Sequence, residues 1–286
     1  MPTTTRIHNF AAGPAILPLP VLEEAQRDLL SLPGVGMSVM EISHRSKTFE
    51  DILGRALEDI RALAKIPAGY KVLLLQGGAS LQFSMVPMNL LGHGQTADYI
   101  VTGGWAQKAL KEAKKAGKTN VAWDEKVDVF TRVPRQEELT LTPGAAYVHM
   151  TSNNTLFGTQ WKSLPDTGGV PLVSDTSSDM FSRPIDVSKH GLIYAGAQKN
   201  LGPSGVTLVV IREDLLARSQ DSLPTMLSYR VHAENNSLYN TPPTFGVYVL
   251  GLTMKWLRSN GGLEAIAKVN ERKGAKLYAV IHRTGF

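Results

Sequence analysis

Short apolar runs rich in Val, Ile and Leu recur along this chain, separated by longer stretches in which apolar residues return every three or four positions. KVLLLQ (71–76), DYIVTG (98–103), AAYVHMTS (145–152), GVPLVSD (169–175), GLIYAG (191–196) and GVTLVVI (205–211) have the length and β-branched content of buried strands. LPLPVLEEAQRDLL opens with prolines and continues as a helix, and FEDILGRALEDIRALAKI (49–66) has a clear amphipathic period. GGASLQFSMVPMNLL and WAQKALKEAKKAG each follow a strand run and predict helices, and so does GGLEAIAKVNERKGAKLYAVIHR, opened by Gly261 and Gly262. Strand–helix alternation of this kind predicts an α/β fold, with a mainly parallel central sheet flanked by helices. GLIYAG and GVTLVVI are the expected exception, because only a short loop joins them. The last helix ends so near the terminus that it reads as the lead-in to something absent.

Composition narrows the class. With 286 residues, 43% hydrophobic and 19% charged, the chain has the make-up of an ordinary globular protein, one large domain or a large domain with a smaller companion. No apolar run approaches the ~20 residues of a membrane-spanning helix. The opening MPTTTRIHNF lacks the charged and apolar regions of a signal peptide, so the expected location is the cytoplasm. The chain has no cysteine, which excludes disulfides, thiolate metal sites and a cysteine nucleophile, and no metal site is expected. The net charge of +5 and pI near 9.3 suit either nucleic acid or small anionic substrates. Lys108, Lys111, Lys115 and Lys118 fall at helical spacing and read as a solvated helix face. No zinc finger, aromatic RNA-binding motif or arginine-rich tail supports a nucleic-acid partner.

The chemistry concentrates around YAGAQKNLGPSG (194–205), where Lys199 stands between two apolar runs. A lysine in a partly apolar site has a lowered pKa, and its free amine can attack an aldehyde to form a Schiff base. Alone, Lys199 would be a loop lysine. Asp175, however, ends the run GVPLVSD, and in a parallel sheet the C-terminal strand ends line the ligand crevice. A carboxylate there can pair with a protonated pyridine nitrogen, or simply cap a helix. QGGAS (76–80) offers backbone N–H groups at a helix start, a phosphate cradle or a tight turn, and Ser80 adds a hydroxyl. Trp105 in TGGW can stack on a flat ring or fill a core. Thr155 in TSNNTLFGTQW can donate to a ligand oxygen or cap a helix. Together these residues ask for one flat, aromatic, phosphorylated aldehyde with a basic ring nitrogen, which describes pyridoxal 5′-phosphate.

NFAAGPAILP, GMSVMEISHRSK, LLLQGGASLQF, TGGWAQKA, TSNNTLFGTQW, SDTSSD and YAGAQKNLGPSG, in that order, resemble the phosphoserine aminotransferase family, class-V aminotransferases. The resemblance implies a fold-type I pyridoxal phosphate-dependent homodimer. It implies amino transfer between glutamate and 3-phosphohydroxypyruvate, giving O-phosphoserine and 2-oxoglutarate in serine biosynthesis. In many bacteria the family also acts on a phosphorylated four-carbon analogue in pyridoxine biosynthesis. By motif, Lys199 would be the Schiff-base lysine, and Gln198, Ala79 and Ser80 would meet the cofactor phosphate. Trp105 would stack on the ring, Asp175 would pair with its nitrogen, and Thr155 would lie near its hydroxyl. Asn240 and Thr241 would reach the phosphate in the other subunit, and His44 and Arg45 would match a substrate-anion site. The resemblance divides the chain into an N-terminal segment (1–20), a large cofactor domain (21–258) and the start of a small C-terminal domain (259–286) whose remainder is absent. That remainder would supply further substrate-binding basic residues.

Rival readings remain within the same fold. A cysteine desulfurase needs the cysteine this chain lacks. Another class-V aminotransferase acting on an anionic substrate, or a cofactor-binding form with impaired catalysis, fits the same residues.

Overall fold

A computed structural model of the chain describes residues 6–125 and 129–285. The opening MPTTT of the expected N-terminal segment, and Phe286 of the expected last one, lie outside the described residues. The helices are α1 (Leu19–Leu30), α2 (Lys47–Ala64), α3 (Gly78–Leu90), α4 (Gly104–Ala116), α5 (Glu213–Leu216), α6 (Tyr229–Glu234), α7 (Thr244–Ser259) and α8 (Gly262–Thr284). The strands are β1 (Tyr70–Leu75), β2 (Thr96–Val101), β3 (Lys118–Asp124), β4 (Val148–Thr151), β5 (Leu172–Asp175), β6 (Leu192–Gly196) and β7 (Thr207–Arg212).

These strands form one sheet in the order β1-β7-β6-β5-β4-β2-β3. Strand β7 pairs antiparallel with both β1 and β6, and every other pairing is parallel. The mainly parallel expectation therefore holds, and the pair of runs joined by the short loop is the antiparallel exception. Every strand except β7 consequently ends on the same edge of the sheet.

Period-2 alternation sorts the side chains into layers. Val72, Leu74, Ile193, Ala195, Leu208 and Val210 face one way, into a core closed by α1, α2 and α7. Leu73, Leu75, Tyr99, Val101, Tyr147, Val173, Leu192 and Tyr194 face the other way and are covered by α3, α4 and α6. A third cluster, around Ile100, Val148, Met150, Trp161 and Leu172, fills the β3 side of the sheet. Helix α2 buries Phe49, Leu53, Ala56, Ile60 and Leu63, the stripe its period predicts, and the Ser46 hydroxyl caps it by accepting the Phe49 N–H at 3.3 Å.

Two elements lie in stretches to which the sequence pattern assigned nothing, and one reading changes. The stretch KTNVAWD is a strand, β3, whose exposed and half-buried positions carry too little apolar alternation to announce an edge strand. The stretch TFGVYVLGLTMKWLRS is a helix, α7, although β-branched and aromatic residues and two glycines give it poor intrinsic propensity. Burial of Val247, Tyr248, Leu250, Met254 and Leu257 overrides that propensity. The four-lysine face is also shorter than expected: α4 ends at Ala116, Gly117 follows, and Lys118 begins β3. Lys115 pairs with Glu112 at 2.8 Å and Lys108 lies 4.4 Å from the Trp105 ring centroid, so no continuous basic stripe forms.

Candidate active site

The expected cofactor residues on the large sheet lie at or just after the C-terminal ends of five strands: Ala79 and Ser80 after β1, Trp105 after β2, Thr155 after β4, Asp175 at the end of β5, and Gln198 and Lys199 after β6. Lys199 sits in the β6–β7 loop, three residues past Gly196. Its amine donates to Thr155 Oγ1 at 2.5 Å and lies 5.4 Å from the centroid of the Trp105 ring. Burial of this half-buried amine pushes its pKa down, and the charge of Asp175 pulls the other way. A lysine held there releases its proton more readily than one in water.

Asp175 closes β5 and is buried. Burial raises its pKa, while the Ser177 hydroxyl, the Ser177 N–H and Lys199 lower it. The Ser177 hydroxyl donates to Asp175 Oδ1 at 2.6 Å and the Ser177 N–H donates to the same oxygen at 3.0 Å. Below the site a buried aromatic layer supports the strands. His149 Nε2 meets the Tyr194 hydroxyl at 2.8 Å and the imidazole stacks on Tyr99, with ring centroids 4.8 Å apart.

Helix α3 begins directly after β1. Gly77 caps it with φ of 84°, and a Cβ there would lie 2.5 Å from Leu81 Cδ2. Only glycine satisfies both the left-handed backbone and the lack of space. The turn brings Ala79 and Ser80 into the first turn of the helix, where N–H groups lack intrahelical acceptors and the dipole favours an anion. The N-terminal segment crosses the same region. The Ala15 N–H donates to the Gln198 carbonyl at 2.8 Å, and a Cβ on Gly13 would stand 2.9 Å from Lys199 Cγ.

Ala79, Ser80, Trp105, Asp175, Gln198 and Lys199 line a single cleft, and Thr155 joins them through its bond to Lys199. His44, Arg45, Asn240 and Thr241 do not line it. His44 is buried with Nε2 lacking a partner, and Arg45 is exposed. The Thr241 carbonyl accepts from Gln76 Nε2 at 3.1 Å, just ahead of the α3 turn. Phe83, Thr151, Asn153, Ser177 and Ser178 also line the cleft. The two-residue spacing of Thr151 with Asn153, and of Asp175 with Ser177, is the signal that places such pairs on one face of a strand end.

The sequence profile of the aminotransferase class-V family matches residues 7–286. The phosphoserine aminotransferase of Herpetosiphon aurantiacus is 56% identical over 279 residues, covering 98% of this chain and 78% of that protein. The solved phosphoserine aminotransferase of Bacillus circulans subsp. alkalophilus superposes with a TM-score of 0.95 at 52% identity, covering 98% of this chain and 78% of the other. The pyridoxal phosphate-bound phosphoserine aminotransferase of Trichomonas vaginalis gives a TM-score of 0.93 at 38% identity, covering 96% of this chain and 82% of that one. A lysine with a depressed pKa, a buried carboxylate and a helix N-terminus meet at one sheet edge in a chain this similar to those proteins, and the chain belongs to the class-V aminotransferases, within the phosphoserine aminotransferase family.

Proposed function

We propose that the chain transfers an amino group between glutamate and 3-phosphohydroxypyruvate, giving O-phosphoserine and 2-oxoglutarate, with pyridoxal phosphate as cofactor. The observation that carries this reading is the Lys199 amine, with its lowered pKa, in one cleft with Asp175 and the start of α3. The donor set fits the cofactor. Lys199, Asp175, Thr155 and Trp105 would offer partners to an aldehyde, a pyridine nitrogen, a ring hydroxyl and a ring face, and the bare N–H groups of α3 suit a phosphate. When bound, pyridoxal phosphate supplies an aldehyde carbon for the amine and a protonated ring that takes up charge from the substrate Cα.

The chain's own residues do the rest. Lys199 would hold the cofactor through Nζ, and the same amine, freed beside the substrate, would take the proton from the substrate Cα as general base and deliver it as general acid to the carbon that receives the amino group. Asp175 holds the ring-nitrogen proton. Ala79, Ser80 and Gln198 would hold the phosphate, Trp105 would cover the ring and Thr155 would orient it through the ring hydroxyl. His44, Arg45, Asn240 and Thr241 stand outside their own cleft, which supports a homodimer in which they serve the partner's site. A phosphorylated four-carbon keto acid, as in pyridoxine biosynthesis, is the second substrate to try. Residues 1–20, 21–258 and 259–286 are the proposed N-terminal segment, cofactor domain and start of the small domain. Among the described residues no helix is long and apolar enough to cross a membrane. The proposed location is the cytoplasm, testable by cell fractionation.

The test is the visible absorption spectrum of the protein with pyridoxal phosphate, before and after glutamate. A visible band that glutamate bleaches and 3-phosphohydroxypyruvate restores is the expected result. A band indifferent to glutamate would reduce the protein to a cofactor binder, and the absence of any band would overturn the assignment of Lys199.

A further inference from the structure

Where the hydrogen-bond ladder between β5 and β6 runs out, a side chain takes over. The Thr176 N–H donates to the Tyr194 carbonyl at 2.9 Å, the last backbone bond between the two strand ends. The next free donor on β6 is the Gly196 N–H, and it donates to Ser177 Oγ at 3.1 Å. That hydroxyl in turn donates to Asp175 Oδ1 at 2.6 Å, and Ser177 is 6% exposed. Both Ser177 donors land on Oδ1, and Asp175 Oδ2 takes no hydrogen bond from the described residues.

We propose that Ser177 is a positioning residue for Asp175, its hydroxyl tying the loop after β5 to the end of β6. The tie fixes the spacing between the partner of the ring nitrogen and Lys199, which follows Gly196 by three residues. It also commits Oδ1 to the protein and leaves Oδ2 for the ring nitrogen. The inference rests on the cofactor reading above. A hydroxyl suits this role because it donates and accepts at once, so it completes the strand ladder and holds the carboxylate in its ionised form. The other titratable groups that act on Asp175 or feel its charge are Lys199, Asp179 and Tyr194.

The experiment measures the pyridoxal phosphate Kd as a function of pH for the wild-type chain, Ser177→Ala and Ser177→Cys. The cysteine differs by one atom, so it retains the fold if the alanine does not. A misplaced Asp175 loses its charged hydrogen bond to the ring nitrogen, worth about 10- to 100-fold in affinity. Loss of support for the ionised carboxylate moves the acid limb of the Kd profile to higher pH. Both effects in either variant are the expected result. Variants whose Kd rises equally at every pH, or not at all, would overturn the proposal, because a packing role alone does not move the limb. If the wild-type chain fails to bind pyridoxal phosphate, the fault lies in the cofactor reading and not in Ser177.

Discussion

Lys199 illustrates what a single residue can disclose. Its type, its place between two apolar runs and its lowered pKa all follow from one physical fact, the cost of keeping an ammonium group away from water. Lys199→Ala removes the only amine that lines the cleft among the described residues, and turnover falls ~10²- to 10⁴-fold, measured as kcat with glutamate and 3-phosphohydroxypyruvate. Gly13 disclosed nothing by itself, because a glycine in an N-terminal segment has many uses. Its role becomes visible only where a Cβ would stand 2.9 Å from Lys199 Cγ, near the base of the lysine rather than its mobile end. Gly13→Ala displaces the lysine stem, so kcat drops about tenfold or more. Gly13 is itself exposed, so the melting temperature moves little. A variant with wild-type kcat would show that the stem has room to yield.

At the scale of elements, legibility followed amphipathicity. The α2 stripe and the strand runs were legible because one face of each is buried and the other is not, or because both faces are. The helix α7 and strand β3 were not, since burial overrides propensity in the first and a polar edge blurs the period in the second. Strand β4 carries a consequence for stability. Burial pushes His149 down to about 3 from 6.5, and His190 is lowered for the same reason. The unfolded chain binds these protons below pH 6.5 while the folded chain does not, so their contribution is complete above that pH and is lost as pH falls toward 3. Each group changes stability by at most about 1.4 kcal/mol per pH unit in that window. Asp175 and Asp179, raised by burial, act in the opposite sense, so the measurement is a difference. Chemical denaturation of the wild type and of His149→Gln between pH 7 and 4 should show the shallower acid loss in the variant. Equal slopes would mean that His149 is protonated in the fold.

For the whole molecule, the decisive arrangement is that six strands end on one edge and five of them deliver their loops to one cleft. Four expected residues, His44, Arg45, Asn240 and Thr241, are left outside it. If they serve a partner's cleft, inactive Lys199→Ala dimers mixed with inactive Arg45→Ala dimers, after subunit exchange, regain about a quarter of wild-type activity, since half the dimers are mixed and each has one intact site. No recovery on exchange would confine both residues to one subunit's site, and Arg45→Ala dimers that are active by themselves would remove Arg45 from function. The sequence by itself determined the fold class and brought forward the lysine and most of the residues that line its cleft, because burial periodicity and the chemistry a residue type can offer are local properties. It also carried every residue of the Ser177 tie, within SDTSSD and YAGAQK, but not the tie itself. Only the tertiary structure decided which strand ends meet, that Gly13 bears on Lys199, and that a hydroxyl bridges β5 to β6. Those are relations between segments distant in sequence, and they arise from the order and register in which the strands pair, which no local pattern encodes.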